Sequence, residues 1–290
     1  MNLPKFTKLP GAIAIDLDGT LLNSKTQLSE RNRAALEKCI ERGIPVIIAT
    51  GRPTRSVKRL LGDELTHRCS LVVMNGALAT GNPPLSGTFR GTLTEERVRG
   101  IINTALRYDQ CTRISVEIDG YEFATTLDGN DFTKKGYLDK DTLWQRHSAT
   151  SEMVFTMDEA IKRNPCKIAL GQTDILRLAE ILEKQFGIEL SIICFDITGT
   201  VRNPLLNITV KTATKPSALK SLLTPQGISL AGVIAFGDDL PDLEMLQACG
   251  IPVAMANAFP EIKAVCAYET ASNDEDGVAV VLEKMLAEAG

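Results

Sequence analysis

"IAIDLDGTLL", residues 13–22, joins a short apolar run to two aspartates and a glycine. The β-branched, apolar start of this segment predicts a buried β-strand. Because residues i and i+2 of a strand project from the same face, we expect Asp16 and Asp18 to lie side by side where the strand ends. Gly19 allows the backbone to turn immediately after them.

Two adjacent carboxylates repel each other unless a proton or a cation offsets their charge. The repulsion raises the pKa of one acid, or it favours binding of a divalent cation such as Mg²⁺. A plain surface turn is the alternative interpretation, because Asp and Gly are common turn residues. The remainder of the chain has to distinguish the two.

The composition of the 290-residue chain is that of a globular protein, with 44% hydrophobic and 23% charged residues. Its net charge of -4 is scattered without basic clusters, which argues against nucleic acid as a partner. The apolar stretches are too short to span a membrane, and the N-terminal segment lacks the apolar region of a signal peptide. We therefore expect a cytoplasmic monomer or homodimer without membrane partners.

The sequence disfavours disulfides, a zinc site, histidine-based catalysis, nucleotide binding by a P-loop and serine-hydrolase chemistry. Its seven cysteines are widely spaced and form no C-x-x-C pair, which indicates reduced thiols and argues against disulfides or a zinc site. Only two histidines are present, and neither a P-loop motif nor a serine-hydrolase motif occurs.

Strand and helix patterns alternate at both ends of the chain. The runs AIAID, PVIIAT and SLVVMN are separated by helical patterns, the first of which has Ser29 as its N-cap and Gly43 as its stop signal. This order predicts an α/β, Rossmann-like core with a parallel sheet and helices on both faces. After LLNITV the alternation resumes through GVIAFGDD and IPVAM.

The middle third of the chain breaks this pattern at the turn-rich stretch GNPPLSG, residues 81–87. A helical pattern follows, and then alternating runs around Asp119-Gly120 that predict a hairpin. We predict a core domain formed by residues 1–82 and 205–290, with an inserted α+β cap domain at residues 83–204.

Polar residues follow the predicted strands of the core. Ligands of open parallel sheets bind outside the carboxyl ends of the strands, so these residues are expected to converge. Lys215 is a candidate cation for such an acidic cluster. The candidates at the strand ends are Asp16, Asp18, Thr50, Gly51, Arg52, Asn75, Gly76, Asp238, Asp239 and Asp242.

This set of groups suits phosphoryl transfer. Carboxylates favour Mg²⁺, whereas a hydroxyl, a glycine N–H and a lysine suit phosphate oxygens. An ionised Asp is a competent nucleophile, and a protonated neighbour can donate to the leaving oxygen. Taken singly, these groups also fit a solvated loop, a helix N-cap, a surface lysine or a turn. Their succession on consecutive strand ends favours a functional site.

The sequence resembles the haloacid dehalogenase superfamily, in particular the Cof-like phosphatases with a type IIB cap. The resemblance covers essentially the whole chain. It rests on DLDGTLL, ATGR, NGA, TKPSALKSLL, GDDLPDLEML and AMANAFPEIKAVCAYETASNDEDGVA.

The resemblance implies a Mg²⁺-dependent phosphatase with an aspartyl-phosphate intermediate, acting on a small phosphate monoester such as a sugar phosphate under the cap. Asp16 would be the nucleophile and a metal ligand, and Asp18 the general acid/base with its backbone carbonyl on the metal. Lys215 would bridge Asp16 and the phosphate, and Asp238 would ligate the metal with Asp242 in support. The expected substrate-binding residues are Thr50, Gly51, Arg52 and Asn75. An aspartate at position 18 favours hydrolysis over dehalogenation.

Two positions depart from the pattern of the superfamily. Pro241 replaces the usual Asn of G-D-x-x-N-D, so that an amide is missing, and Pro216 follows Lys215 where Gly is common. We expect reduced but retained activity. A catalytically weak or inactive phosphate-binding protein is the alternative, and a phosphomutase would use the same chemistry. A receiver-type signalling domain is disfavoured by the length of the chain and by the acid at Asp18.

Substrate specificity is expected to depend on the cap. Its candidate loops are DGNDF, residues 128–132, and CFDITGTVRNP, residues 194–204, which includes Arg202.

Overall fold

The computed structural model describes residues 1–125, 157–171, 174–195 and 205–289. The chain divides into two compact units. The first, which we call the core unit, comprises Met1–Phe89 and Thr214–Gly290, and the second, the cap unit, comprises Arg90–Ala213.

The strands are β1 (Ala12–Ile15), β2 (Val46–Ala49), β3 (Ser70–Val73), β4 (Leu78–Thr80), β5 (Thr88–Arg90), β6 (Arg113–Glu117), β7 (Phe123–Thr125), β8 (Lys167–Gly171), β9 (Leu190–Phe195), β10 (Leu205–Val210), β11 (Val233–Gly237), β12 (Ile251–Ala254) and β13 (Tyr268–Glu269). The α-helices are α1 (Glu30–Glu41), α2 (Thr54–Leu61), α3 (Asp63–Arg68), α4 (Glu95–Tyr108), α5 (Met157–Lys162), α6 (Ile175–Phe186), α7 (Lys215–Leu223), α8 (Leu243–Ala248), α9 (Pro260–Val265) and α10 (Gly277–Ala289).

The core unit is built on an eight-stranded sheet in the order β13-β12-β11-β1-β2-β3-β4-β5. The strands from β13 to β3 are parallel, and β4 pairs antiparallel with β3. From β1 the chain adds β2 and β3 on one side, and it later adds β11 to β13 on the other. The strand order therefore reverses at β1 and β11, and this is where open α/β sheets place their binding crevice.

Every residue of β1, β2, β3 and β11 is buried. A strand that is buried at consecutive positions must be covered on both faces of its sheet. The predicted α/β core with a mostly parallel sheet is thus confirmed. The helix predicted after Ser29 is present as well, since the Ser29 side chain accepts a hydrogen bond from the backbone N–H of Asn32.

The cap unit contains an antiparallel sheet in the order β7-β6-β8-β10-β9. The predicted hairpin around Asp119-Gly120 joins β6 and β7. Alternate residues of these strands form a buried apolar cluster with α4, α5 and α6. This period of two follows from the pleat of the strands.

The two changes between units lie later in the chain than the predicted ones at residues 82 and 204. The Pro/Gly-rich stretch 81–87 connects β4 to β5 inside the core sheet, and a backbone hydrogen bond from Gly81 N to Gly87 O closes it. The LLNITV segment, assigned to the core from the sequence, forms β10 between β8 and β9 of the cap sheet. Its alternating pattern fits either sheet, so pairing partners decide its place.

Within the described residues, no helix is long and apolar enough to cross a membrane. All seven cysteines are free, and four of them, Cys39, Cys69, Cys166 and Cys249, are buried. The loop at residues 128–132 and residues 196–204, including Arg202, lie outside the described residues.

Candidate active site

Asp16 follows β1 at the centre of the core sheet. Its backbone N–H donates to the carbonyl of Phe236 in β11 at 3.1 Å, so it continues the parallel pairing of the two strands. The residue is buried, with 7% of its surface exposed. The apolar strand therefore delivers a carboxylate to the crevice where the strand order reverses.

Lys215 lies between two carboxylates. Its Nζ is 2.7 Å from Oδ1 of Asp16 and 2.6 Å from Oδ1 of Asp242, and its side chain is 3% exposed. Lys215 is the first residue of α7, whose N-cap Thr214 and Ser217 form a capping box. The capped helix start thus fixes the backbone from which the ammonium reaches the two acids.

Asp242 is held from both sides. Its Oδ2 accepts hydrogen bonds from the backbone N–H groups of Asp238 at 3.1 Å and Asp239 at 3.3 Å, while Oδ1 accepts from Lys215. The Thr20 hydroxyl donates to Oδ1 of Asp238 at 2.7 Å. Asp242 is thus hydrogen-bonded through both oxygens, whereas Asp16 accepts from Lys215 at Oδ1 and Asp238 accepts from Thr20 at Oδ1.

The pKa values of this cluster are strongly perturbed. Burial and the nearby charge of Asp242 raise the pKa of Asp16 well above its ordinary value, against the opposing effect of Lys215. Burial, together with Asp242 and Asp239, raises the pKa of Asp238 to about 7. For Lys215, burial lowers the pKa, but the attraction of Asp16 and Asp242 outweighs burial and raises it. The lysine is therefore charged, and its single charge does not neutralise the three acids.

The three carboxylates suit a divalent cation. Asp16, Asp238 and Asp242 each offer an oxygen, and these oxygens lie within 4.8 Å of one another. Carboxylate oxygens are the ligands that Mg²⁺ and similar hard cations prefer, and a cation would offset the excess negative charge. The donor set therefore fits a bound metal ion.

Asp18 lies apart from this triad. Arg52 donates to both of its carboxylate oxygens, from Nε to Oδ2 and from Nη2 to Oδ1, each at 2.6 Å. Half of the Asp18 side chain is exposed. The two aspartates that follow β1 thus have different partners, an ammonium for Asp16 and a guanidinium for Asp18.

The other predicted site residues follow β2 and β3. Arg52 N donates to the Thr50 hydroxyl at 3.2 Å, and Asn75 N donates to the Thr50 carbonyl at 3.1 Å; Gly51 lies between Thr50 and Arg52. Asn75 is 5% exposed, and neither polar atom of its side chain has a hydrogen-bond partner. A buried amide without partners is costly, which marks Asn75 as a candidate ligand-binding group.

Residues that the sequence interpretation did not single out hold the loop after β1. Asn257 donates to the Gly19 carbonyl at 2.8 Å, Asn273 donates to the Leu22 carbonyl at 2.9 Å, and the Thr20 hydroxyl reaches Asp238. Asn257 and Asn273 lie within the AMANAF…SNDEDGVA stretch used for the resemblance. Their side-chain directions depend on turn geometry, which residue pattern alone does not determine.

Three comparisons place the chain among known proteins. The family profile for haloacid dehalogenase-like hydrolases matches residues 13–282. A Haemophilus influenzae protein is 31% identical over 278 residues, covering 96% of this chain and 98% of that protein. The 5-amino-6-(5-phospho-D-ribitylamino)uracil phosphatase YwtE of Bacillus subtilis is 28% identical over 310 residues, covering 94% and 97%.

Solved structures agree with the sequence comparisons. A haloacid dehalogenase-like hydrolase from Bacteroides thetaiotaomicron is 26% identical with a TM-score of 0.74, covering 97% of this chain and 100% of that one.

We predict that Asp238→Asn increases the free energy of unfolding of the metal-free protein, and that this increase grows with pH. Because folding raises the pKa of the Asp238 carboxyl, the stability that the group contributes is fully present below its ordinary pKa of 3.8. This stability is lost as the pH rises through about 7. Asp238→Asn, measured by urea denaturation in chelator, should therefore gain roughly 2–3 kcal/mol relative to wild type between pH 5 and pH 8. Asp63→Asn, at a largely exposed carboxylate outside the triad, is the control, and an advantage of Asp238→Asn that does not grow with pH contradicts the assignment.

Proposed function

We propose that this chain, which belongs to the haloacid dehalogenase-like hydrolases, is a Mg²⁺-dependent phosphatase that hydrolyses a small phosphorylated metabolite through a phosphate ester of Asp16. Its inserted unit has the antiparallel sheet of the type IIB form. The observation that carries the proposal is the Asp16 carboxylate, held by Lys215 beside Asp238 and Asp242 at the end of β1.

Asp16 is suited to act as the nucleophile. Lys215 binds its Oδ1, which fixes the carboxylate and leaves Oδ2 for attack on phosphorus. Because Asp16 is only 7% exposed, little water can solvate its carboxylate. Bound Mg²⁺ would supply the positive charge that keeps the acids ionised and stabilises charge on the phosphoryl oxygens. Asp16 and Asp238 would hold the ion, with Asp242 in support through its bond to Lys215.

Asp18 is suited to move protons. When Oδ2 of Asp16 attacks phosphorus, the bond to the leaving oxygen breaks, and protonated Asp18 gives that oxygen its proton. In the second half-reaction a water attacks phosphorus, ionised Asp18 takes the water proton, and the bond from phosphorus to Asp16 breaks. Arg52 donates to both oxygens of the half-exposed Asp18 side chain, so at least one of these two contacts has to open when Asp18 carries the proton.

The phosphate is proposed to bind at the ends of β2 and β3. The Thr50 hydroxyl, the Gly51 N–H and the Asn75 amide are donors suited to phosphate oxygens, as is the Arg52 guanidinium. The unpartnered amide of Asn75 supports this assignment, because a ligand would provide the bond that it lacks. In this proposal Arg52 contacts both the phosphate and Asp18.

The proposed substrate is a phosphate monoester of a small metabolite, such as a sugar phosphate. YwtE, named for a phosphorylated ribityl compound, supports a small-molecule class without identifying the substrate of this chain.

The activity is tested by phosphate release from p-nitrophenyl phosphate and a panel of metabolite phosphates. We expect turnover with Mg²⁺, loss of turnover in EDTA, and a decrease of at least about 10³-fold in Asp16→Asn, because an amide is a poor nucleophile. Asp239→Asn is the matched control, since Asp239 points its carboxylate at Leu240 N and lies outside the triad. No turnover by folded wild-type protein, or full activity of Asp16→Asn, would reject the proposal.

The second candidate function is that of a catalytically weak phosphate-binding protein, and the presence of Pro241 favours it. Pro241 lies in the 3₁₀ turn Leu240–Asp242, between Asp238 and Asp242 in the sequence. It provides neither a side-chain amide nor a backbone N–H. The turn nevertheless keeps Asp242 in place, through the bond from Asp242 N to Asp239 O at 2.8 Å.

We predict that Pro241→Asn raises kcat several-fold, because the new amide can orient a water or a phosphate oxygen beside the acids. Pro241→Ala removes the ring without adding an amide and is the control. Equal rates for both variants and wild type would show that Pro241 does not limit the reaction.

A further inference from the structure

Three consecutive residues after β3 have positive φ. The angles are 52° at Met74, 59° at Asn75 and 92° at Gly76. Residues other than glycine rarely adopt this region, so a run of three is a strained turn that its surroundings must hold in place. We call Met74–Gly76 the left-handed turn.

The left-handed turn is anchored to the end of β2. The backbone N–H of Met74 donates to the Arg52 carbonyl at 3.0 Å, and that of Asn75 donates to the Thr50 carbonyl at 3.1 Å. These bonds join the turn to the segment that carries the proposed phosphate ligands. The turn cannot retreat from a neighbour on its other side without breaking them.

On that other side Gly76 contacts the start of α7. A Cβ built on Gly76 would lie 2.3 Å from both the carbonyl carbon and the carbonyl oxygen of Thr214, and 2.7 Å from Lys215 N. The Thr214 carbonyl already accepts from Ala218 N and from the Ser217 hydroxyl, both at 3.0 Å. It is therefore part of the first turn of the helix that begins with Lys215.

We propose that Gly76 is a positioning residue for Lys215: its missing side chain lets the start of α7 approach closely enough for the ammonium to lie between Asp16 and Asp242. The inference rests on the proposed function, because it assigns Gly76 a role through Lys215. Any Cβ at residue 76 requires the Thr214 carbonyl to move by about 1 Å to reach ordinary contact distance. A displacement of that size at a reacting centre can reduce the rate by on the order of 10²-fold.

Gly87 provides a matched control for backbone strain. Its φ is 93°, nearly that of Gly76, but a Cβ at Gly87 would meet nothing within 4 Å. Gly76→Ala and Gly87→Ala therefore place alanine at nearly the same positive φ and differ in the clash with Thr214. We expect kcat to fall roughly 10–100-fold in Gly76→Ala and to stay at the wild-type value in Gly87→Ala. Gly76→Asn carries the same Cβ on a residue that tolerates positive φ better, and it replaces Gly76→Ala if that variant does not fold.

Coupling to Lys215 distinguishes a positioning role of Gly76 from a purely structural role. In a Lys215→Ala background, or in Lys215→Gln if Lys215→Ala does not fold, assayed at high enzyme concentration, adding Gly76→Ala should change kcat less than twofold, since the group it positions is gone. A further drop of 10-fold or more would overturn the inference, as would a Gly76→Ala rate equal to that of Gly87→Ala while Lys215→Ala is inactive. Full activity of Lys215→Ala would overturn the proposed role of Lys215 and with it that of Gly76.

Discussion

The buried contact of Lys215 with Asp16 and Asp242 is the interaction on which the rest of the site depends. These residues come from three distant parts of the chain: the end of β1, the start of α7 and the loop after β11. A buried ion pair that loses one partner costs about 3–5 kcal/mol, so the cluster is stable only as a whole. The cluster can therefore form only after the chain has returned from the inserted unit and the two sequence segments of the core have packed together.

The charges in this cluster are unbalanced, and function follows from that imbalance. One ammonium faces Asp16, Asp238 and Asp242, and the raised pKa of Asp16 and of Asp238 reports the cost of burying acids together. A divalent cation and a phosphate would together restore balance, the cation toward the acids and the phosphate toward Lys215 and the strand ends. We infer that this charge imbalance destabilises the metal-free site and that a bound cation relieves it. Asp18 avoids this conflict because Arg52 pairs with it at the rim.

Much of this arrangement follows from sequence pattern, because buried parallel strands read as short apolar runs and place their next residues at one edge of the sheet. That reasoning predicted Asp16, Lys215, Asp238 and Asp242, which the structure brings together. It did not predict β4 and β5, since three-residue strands beside a Pro/Gly-rich turn carry little pattern. It also missed the contacts of Thr20, Asn257 and Gly76, which depend on turn dihedrals and on close approach of distant backbone segments. The roles of Thr50, Gly51, Arg52 and Asn75 in binding phosphate stay predictions.

In the proposed mechanism, Asp16 itself receives the phosphoryl group. The most direct measurement is acid quenching during turnover of a good substrate with Mg²⁺, followed by mass spectrometry of the peptide that contains residues 13–22. We expect a peptide heavier by one phosphoryl group, with that group on Asp16, and an unmodified peptide in Asp16→Asn. Turnover with a phosphoryl group on another residue, or with no labelled peptide under conditions that trap an aspartyl phosphate in a known enzyme of this kind, would contradict it.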